Sequence, residues 1–227
     1  MIKLKPANWK TSEFIGYLIV VLFVIINAFV TKDYYVAAIS AVCGISYTFM
    51  AGKGMPICYV YGVIGSGFYS FLSFKNALWG NLFLYSCYYV PMQVLGFVHW
   101  NKHLKEDANE IVKIRTPLKQ VILITLLNII GIIGFTFVLK YFNDIHPILD
   151  SITTILSVTG MYFTVRRAIE QWVAWAIVNL LSFIMWFYVA LSGAKVLSTL
   201  IMWGVYVFLS FYFYFIWRKE IKLSKQN

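Results

Sequence analysis

The sequence predicts an all-α, polytopic membrane protein with about eight transmembrane helices. The chain of 227 residues is 61% hydrophobic and 12% charged, whereas a soluble domain carries about 25% charged residues. Its mean hydropathy is +0.76, and its apolar runs are close to the roughly 20 residues that a helix needs to cross a bilayer. Strands are disfavoured, because no ten-residue alternation of apolar and polar residues recurs.

Eight apolar segments support this count, and each is about as long as the hydrocarbon core is thick. The first segment follows Lys3, Lys5 and Lys10. Its apolar run is too long for a signal peptide, and no small-x-small cleavage site follows it, so we predict a membrane helix. In chain order the predicted helices are Phe14–Val30, Tyr34–Ala51, Met55–Phe74, Ala77–Trp100, Val121–Phe142, Pro147–Val165, Trp172–Leu191 and Val196–Trp217.

The distribution of positive charge predicts the orientation of these helices. With both termini in the cytoplasm, 15 of the 19 Lys and Arg residues fall in cytoplasmic segments, and the four outside are Lys32, Lys75, Lys140 and Lys195. Cytoplasmic loops carry an excess of Lys and Arg, so we predict a cytoplasmic-membrane protein with both termini inside. The net charge of +10 does not indicate a nucleic-acid partner, since the basic residues lie between apolar segments and form no basic face.

The two halves of the chain align when one is shifted by 117 residues. Trp100-Asn-Lys102 then meets Trp217-Arg-Lys219, and Tyr89 meets Tyr206. This predicts two parallel three-helix repeats joined by a linker helix, with an extra helix at the N-terminus. The predicted divisions are an N-terminal helix (1–33), a first repeat (34–100), a loop and linker helix (101–146) and a second repeat with a cytoplasmic tail (147–227). We expect a substrate site between the repeats, near mid-membrane.

Helix seven begins with the most informative motif. Trp172, Trp175 and Asn179 lie at i, i+3 and i+7, so they share one helix face. Two indoles can stack on a flat ring, and an amide can pair with its polar groups. Structural roles stay open for two of these residues, because Trp172 is also typical of an interfacial aromatic belt and Asn179 of a hydrogen bond between helices.

Helix four carries a second candidate surface. Polar and aromatic residues recur there at helical pitch, and each tyrosine could instead serve the packing between helices. We also expect Pro91 to loosen the helix around Val90 and Gln93. The members of this stripe are Asn81, Tyr85, Tyr88, Tyr89 and Gln93.

Several absences restrict the function. The sequence contains no phosphate-binding G-x-x-x-x-G-K-[ST] loop and no G-x-S-x-G nucleophile elbow. His99 and His103 are spaced like metal ligands but have no third ligand near them, so we predict no metal and no cofactor. All nine carboxylates lie at predicted helix ends or in loops. A proton or Na⁺ relay usually needs a carboxylate in the membrane, so facilitated diffusion is the simplest prediction.

The motif Glu170-Gln-Trp172-x-x-Trp175-x-x-x-Asn179 resembles the signature of PnuC-type vitamin transporters, the nicotinamide riboside permeases. The run from Gly80 to Trp100 is similar to the same family, although Phe97 stands where a tryptophan is expected. A third stretch, Ala51-Gly-Lys53 followed by Tyr61-Gly62-Val-Ile64, is also similar to this family. The resemblance covers about residues 40–220.

The resemblance implies a 3+1+3 fold related to the SWEET sugar transporters. It implies passive uptake of nicotinamide riboside, trapping of the vitamin by intracellular phosphorylation, and a homo-oligomer, with a trimer as one form. Residue by residue, it assigns the solute to Trp172, Trp175, Asn179 and Gln93.

Further functions are compatible with the sequence. Members of the family also take thiamine, riboflavin or deoxynucleosides. A substrate-capturing subunit of an energised vitamin importer would need a small-residue docking face, for which Ala37-x-x-x-Ala41 is a weak candidate. A membrane enzyme is disfavoured, because the chain has no paired carboxylates, no nucleophile with a base and no metal cluster.

Overall fold

The all-α fold class is confirmed by a computed structural model that describes residues 10–31, 35–75, 82–105, 109–143, 146–191 and 197–224. These residues form eight helices and two isolated backbone bridges, with no strand among them. The helices are α1 (Thr11–Thr31), α2 (Tyr35–Gly52), α3 (Cys58–Lys75), α4 (a π-helical segment, Leu84–Tyr89, continued by Val90–Asn101), α5 (Leu118–Tyr141), α6 (Pro147–Val165), α7 (Glu170–Leu191) and α8 (Leu197–Leu223).

The predicted helix ends that fall on described residues lie within three residues of the observed ones, except at the end of α8. The predicted starts of helices two, four and eight (Tyr34, Ala77 and Val196) lie outside the described residues. Helix α3 begins at Cys58, not Met55, because Met55–Ile57 form the turn after α2. Helix α8 continues past Trp217 to Leu223. That last stretch carries Arg218, Lys219 and Lys222, and cations near a helix C-terminus are favoured by the helix dipole.

The chain divides into two compact units. The first unit, Met1–Val112, contains α1 to α4, and the second unit, Lys113–Asn227, contains α5 to α8. Within each unit consecutive helices pack on one another, and α1 packs on α2. The predicted four-part division and the three-helix repeat stay predictions.

Helix α1 is attached to α2 by polar and aromatic contacts. The Glu13 carboxylate lies 2.6 Å from the ammonium group of Lys53, and both side chains are buried. One helical turn further along α1, the Tyr17 hydroxyl lies 2.8 Å from Ser46 Oγ, and the Tyr17 ring meets the Phe49 ring edge-on. A buried pair that keeps both charges compensated fixes the register of the two helices.

Helices α2 and α6 end in the same kind of turn. After α2, Gly54 N donates to Ala51 O and Met55 N to Met50 O; after α6, Arg167 N donates to Thr164 O and Ala168 N to Phe163 O. This is the Schellman pattern, which needs a left-handed residue. That residue is Gly54 (φ 71°) in the first turn and Arg167 (φ 63°) in the second. The left-handed conformation costs a side-chain-bearing residue about 1 kcal/mol.

The surfaces of several helices are strongly apolar. Three of the described helical stretches have the length and composition of membrane spans, namely Leu118–Tyr141, Pro147–Val165 and Glu170–Tyr188, and two shorter stretches, Thr11–Asn27 and Ile39–Gly52, are also apolar. Helix α5 has no buried residue and exposes many large aliphatic side chains, among them Ile122, Leu126, Ile130 and Ile133. Lipid is a suitable solvent for such a surface.

Candidate functional site

Helix α7 begins after the turn that contains Arg167, and the loop before α5 holds this turn in place. Ile114 N donates to Arg167 O, and Ile169 N donates to Ile114 O. The Glu170 carboxylate accepts hydrogen bonds from the backbone N–H and the hydroxyl of Thr116, at 3.1 and 2.8 Å. Burial lowers the pKa of the Arg167 guanidinium. The first turn of α7 therefore starts from a defined position.

Two of the three predicted residues on α7 contact α8. Trp172 is 3% exposed; its ring lies 5.3 Å from that of Phe213 and meets the Trp217 ring edge-on at 5.7 Å. Asn179 Nδ2 donates to Ser210 Oγ at 2.9 Å and to Tyr206 O at 3.3 Å. Both bonds use the amide N–H₂ group of Asn179, so its Oδ1 is the remaining acceptor of that side chain.

Trp175 instead contacts α6. Its Nε1 donates to Thr164 Oγ1 at 3.1 Å, and a methyl group on Gly160 would lie 3.0–3.2 Å from three atoms of its indole. The indole is partly exposed, unlike that of Trp172. The three residues of the motif thus share one side of α7, but Trp175 lies towards α6 while Trp172 and Asn179 lie towards α8.

Gln93 on α4 is buried against α3. Its Nε2 donates to Ser66 Oγ at 3.1 Å, and a Cβ on Gly62 would come within 3.0 Å of the amide. Its Oε1 is buried and has no hydrogen-bond partner among the described residues. An unpaired buried acceptor costs about 1–3 kcal/mol, so Oε1 is a candidate contact for a ligand donor.

The predicted tyrosines lie in a cluster around the π-helical segment of α4. Tyr85 lies 4.4 Å from Tyr69 and 4.9 Å from Tyr89, measured between ring centroids. Tyr89 is buried, and Tyr88 lies 5.6 Å from it. The predicted stripe thus forms a continuous aromatic cluster. Asn81, its first member, lies outside the described residues.

The two units contain similar contacts at similar places. In the first, the Tyr59 ring meets the Trp100 ring edge-on and an amide bonds a serine (Gln93 to Ser66); in the second, Trp172 meets Trp217 edge-on and Asn179 bonds Ser210. Tyr59 and Trp172 are 113 residues apart, as are Gly54 and Arg167, whereas Trp100 and Trp217 are 117 apart. A single shift of 117 therefore does not relate all of these positions, because the stretch from Trp172 to Trp217 is longer than the stretch from Tyr59 to Trp100.

Sequence reasoning missed several residues of this site. One of them is Tyr59, whose hydroxyl is buried without a hydrogen-bond partner in the part of the chain that the structure describes, as is the indole Nε1 of the predicted residue Trp172. Tyr59 comes as many residues after Gly54 as Trp172 comes after Arg167. This equal spacing was the one sequence pattern that could have indicated Tyr59. The residues Gly160, Thr164 and Ser210 had no signal, since their roles depend on contacts with another helix.

These features define a class of protein: a multi-pass, all-helical membrane protein in which amide, hydroxyl and indole groups are buried inside helix bundles. A bundle interior lined in this way is suited to holding a polar aromatic solute. The described residues contain no cluster of three His, Cys, Asp or Glu that would hold a metal.

The particular family follows from comparison with known proteins. A family model described as the nicotinamide mononucleotide transporter matches residues 34–219, and the chain belongs to this family. It is therefore a membrane transporter and not an enzyme, and the predicted resemblance to PnuC-type transporters is confirmed.

Two curated relatives and one solved structure are similar to the chain. The nicotinamide riboside transporter PnuC of Neisseria mucosa is 29% identical over 195 residues, which cover 84% of this chain and 74% of the relative. The nicotinamide riboside transporter PnuC of Haemophilus influenzae is 23% identical over 218 residues, covering 95% and 93%. A crystal structure of the vitamin B3 transporter PnuC superposes with a TM-score of 0.80 at 28% identity, covering 95% of this chain and 94% of that one.

Proposed function

We propose that this transporter carries nicotinamide riboside across the cytoplasmic membrane by facilitated diffusion, and that intracellular phosphorylation traps the vitamin. The relatives named as nicotinamide riboside transporters support the cargo. The chemistry of the candidate residues supports it independently.

The observation that carries the proposal is the hydrogen bonding of the Gln93 side-chain amide. Its N–H₂ group is used by Ser66, while its carbonyl oxygen is buried and has no partner among the described residues. A site with an unpaired acceptor favours a ligand that brings an N–H donor. The carboxamide of nicotinamide carries two such donors, so we assign this contact to Gln93.

The ring of the cargo fits the tryptophans of α7. Nicotinamide riboside contains a flat pyridinium ring with a positive charge, and an indole face attracts such a cation by about 0.5–2 kcal/mol. Trp175 is partly exposed and offers one face of its indole. Asn179 and the Nε1 of Trp172 add polar contacts that suit the ribose hydroxyls.

Charge favours the riboside over its phosphorylated form. The described members of the predicted site are all neutral: Tyr85, Tyr89, Gln93, Trp172, Trp175 and Asn179. A buried phosphate dianion needs Arg or Lys partners. Lys113, which lies 5.2 Å from the Trp217 ring centroid, is already paired with Glu220 at 2.7 Å. We therefore expect nicotinamide mononucleotide to bind more weakly than the riboside.

The positions of the carboxylates support uptake without ion coupling. In the described ranges Asp and Glu lie within the terminal turns of helices or in a loop: Glu13, Glu110, Asp150, Glu170 and Glu220. A carboxylate relay across the membrane would need a residue deeper in a span. We further propose cytoplasmic termini, two parallel three-helix repeats and a homo-oligomeric assembly.

Uptake by the purified full chain in liposomes tests this function. With identical salt and pH on both sides, radiolabelled nicotinamide riboside should enter until its inner and outer concentrations are equal, and an imposed Na⁺ or H⁺ gradient should not raise that level. Unlabelled riboside should compete better than nicotinamide mononucleotide, thiamine, riboflavin or a deoxynucleoside. Absence of riboside uptake, or stronger competition by another solute, contradicts the proposed cargo.

A matched pair of variants tests the contact assigned to Gln93. Gln93→Ala should weaken riboside affinity at least tenfold, since it removes the acceptor. Asn128→Ala removes another amide–hydroxyl bond between helices, the 2.7 Å contact with Thr159, and should lower thermal stability without changing affinity. Equal effects of the two variants on affinity would overturn the assignment.

A further inference from the structure

We propose that Gly160 and Thr164 on α6 are positioning residues that fix the plane and the rotation of the Trp175 indole, so that its free face is presented to the solute. This inference rests on the proposed function and extends it to residues that do not contact the cargo themselves.

Gly160 fixes the plane of the ring. A Cβ placed on Gly160 would lie 3.0 Å from Cε2 and 3.2 Å from both Cδ2 and Cζ2 of Trp175. Cδ2 and Cε2 form the bond shared by the two indole rings, so an atom in the ring plane cannot approach both this closely. The indole therefore lies flat on α6 at Gly160, and one of its two faces is covered.

Thr164 fixes the rotation of the ring within that plane. Its hydroxyl donates to Gly160 O at 2.8 Å and accepts a hydrogen bond from Trp175 Nε1 at 3.1 Å. Thr164 is 1% exposed, so solvent does not replace this bond. Because the hydroxyl proton is used by the Gly160 carbonyl, a lone pair of the oxygen points to the indole N–H.

Both constraints act on the same ring. Rotation about the two side-chain torsions of Trp175 would break the bond to Thr164 or lift the ring off Gly160. A platform held in this way loses little conformational entropy when a solute stacks on it. Gly160 also sets the depth of the platform, because any side chain there would push the indole towards the cargo.

Riboside affinity of the purified transporter, measured by titration calorimetry, tests the role of Thr164 through a double-mutant cycle. Thr164→Val should raise the Kd about three- to tenfold, and Thr164→Ser, which keeps the hydroxyl, should restore it. In a Trp175→Phe background, which has no indole N–H, Thr164→Val should change the Kd less than twofold. An equal loss in both backgrounds, or no loss in the wild type, would overturn the proposal.

A second comparison tests the role of Gly160. Gly160→Ala should raise the Kd at least tenfold, and less in the Trp175→Phe background, because phenylalanine lacks the fused ring that Gly160 supports. Gly204→Ala on α8 is its control, since a Cβ there meets Phe183 at an ordinary 3.5 Å. Thr153→Val is the control for Thr164, because its hydroxyl bonds only backbone carbonyls of its own helix in the described contacts. A control variant that weakens binding as much as its partner contradicts the inference.

A spectroscopic measurement on the transporter without riboside tests this inference separately from the proposed function. The ultraviolet resonance Raman difference between wild type and Trp175→Phe isolates the Trp175 indole, and Thr164→Val should shift its N–H-sensitive band towards the non-hydrogen-bonded position. If the wild type binds no riboside, the proposed cargo is wrong while this band still tests the contact. If the riboside binds but the band does not shift, the positioning role is wrong.

Discussion

Gly96 lies where the ring of Tyr59 crosses α4. A Cβ on Gly96 would come 2.3 Å from Tyr59 Cζ and 2.6 Å from its hydroxyl oxygen. Tyr59 is 0% exposed, and its ring also meets those of Trp100, one turn further along α4, at 5.0 Å and of Tyr47 on α2 at 6.1 Å. The ring therefore has no space into which it can retreat, and the contact fixes α3 against α4 next to Gln93.

Replacement of Gly96 by alanine should destabilise the protein strongly. We expect a loss of about 1–3 kcal/mol or more, because an overpacked core forces rotamers or backbone to shift. The measurement is the melting temperature of the purified chain in detergent. Gly67→Ala in α3 is the matched control, since a Cβ there meets nothing within 4 Å, and it should be neutral or stabilising by about 0.5–1 kcal/mol. A neutral Gly96→Ala would show that α3 and α4 are less closely packed than described.

Helical pitch made part of the site predictable from the sequence, whereas contacts between helices were not. The spacing of Trp172, Trp175 and Asn179 placed them on one side of α7, since that follows from helical pitch alone. It could not show that Trp175 contacts α6 while the other two contact α8, because this depends on how three helices pack. For the same reason Thr164 was not found, although it bonds Trp175 directly.

The π-helical segment of α4 is the main irregularity in the described helices. Pro91 has no N–H to donate to the carbonyl of Cys87, and its ring would collide with that oxygen in a regular α-helix. The preceding residue, Val90, donates to Tyr85 O, five positions back. Residues Leu84–Tyr89 take the wider π turn as a result, and such turns are frequent at functional sites. The predicted loosening at Pro91 thus occurs on its N-terminal side, and the wider turn sets where Tyr85 and Tyr89 point relative to Gln93.

Pro91→Ala should impair uptake without unfolding the protein. The alanine supplies the missing N–H and allows a regular helix, which turns the residues before it by up to about 100° relative to Gln93. We expect riboside uptake in liposomes to fall several-fold while the melting temperature stays the same or rises. Pro147→Ala is the control, because Pro147 occupies the first position of α6, where no N–H is needed. Normal uptake by Pro91→Ala would mean that the π segment does not position the site.

The helices themselves were predictable because bilayer thickness limits their length, and proline and charge mark where they end. Helix α5 begins after Pro117 and α6 begins at Pro147, and the predicted starts of these two helices lie within three residues of the observed ones. The charge of the loop before α5 favours a solvated linker. Instead, Ile111 is fully buried, Lys113 pairs with Glu220, and Thr116 bonds Glu170. These partners lie far away along the chain, so local patterns did not indicate them.

For the molecule as a whole, composition and hydropathy were sufficient to predict a multi-pass helical membrane protein, because a chain this apolar can satisfy its backbone in lipid only through helices or closed barrels. Transport was predicted from the motif of helix seven and the resemblance that it carries. The family match confirms that class. The orientation of the protein in the membrane is predicted from a different property, the unequal division of Lys and Arg between alternate loops. That division gives 15 residues to the predicted cytoplasmic side and four to the other, a bias that membrane insertion normally respects.

Cysteine labelling in intact cells tests this orientation. The background is a chain in which the three native cysteines, Cys43, Cys58 and Cys87, are replaced by alanine. In this background Ser224→Cys places a thiol just after α8, and Phe142→Cys places one just after α5. Both positions are exposed. A membrane-impermeant maleimide should label the Phe142→Cys chain in intact cells, and the Ser224→Cys chain only after permeabilisation. The opposite pattern would reverse the predicted topology. Labelling of both in intact cells would instead change the number of spans between them, since an odd number of crossings (α6, α7 and α8) must put the two thiols on opposite sides.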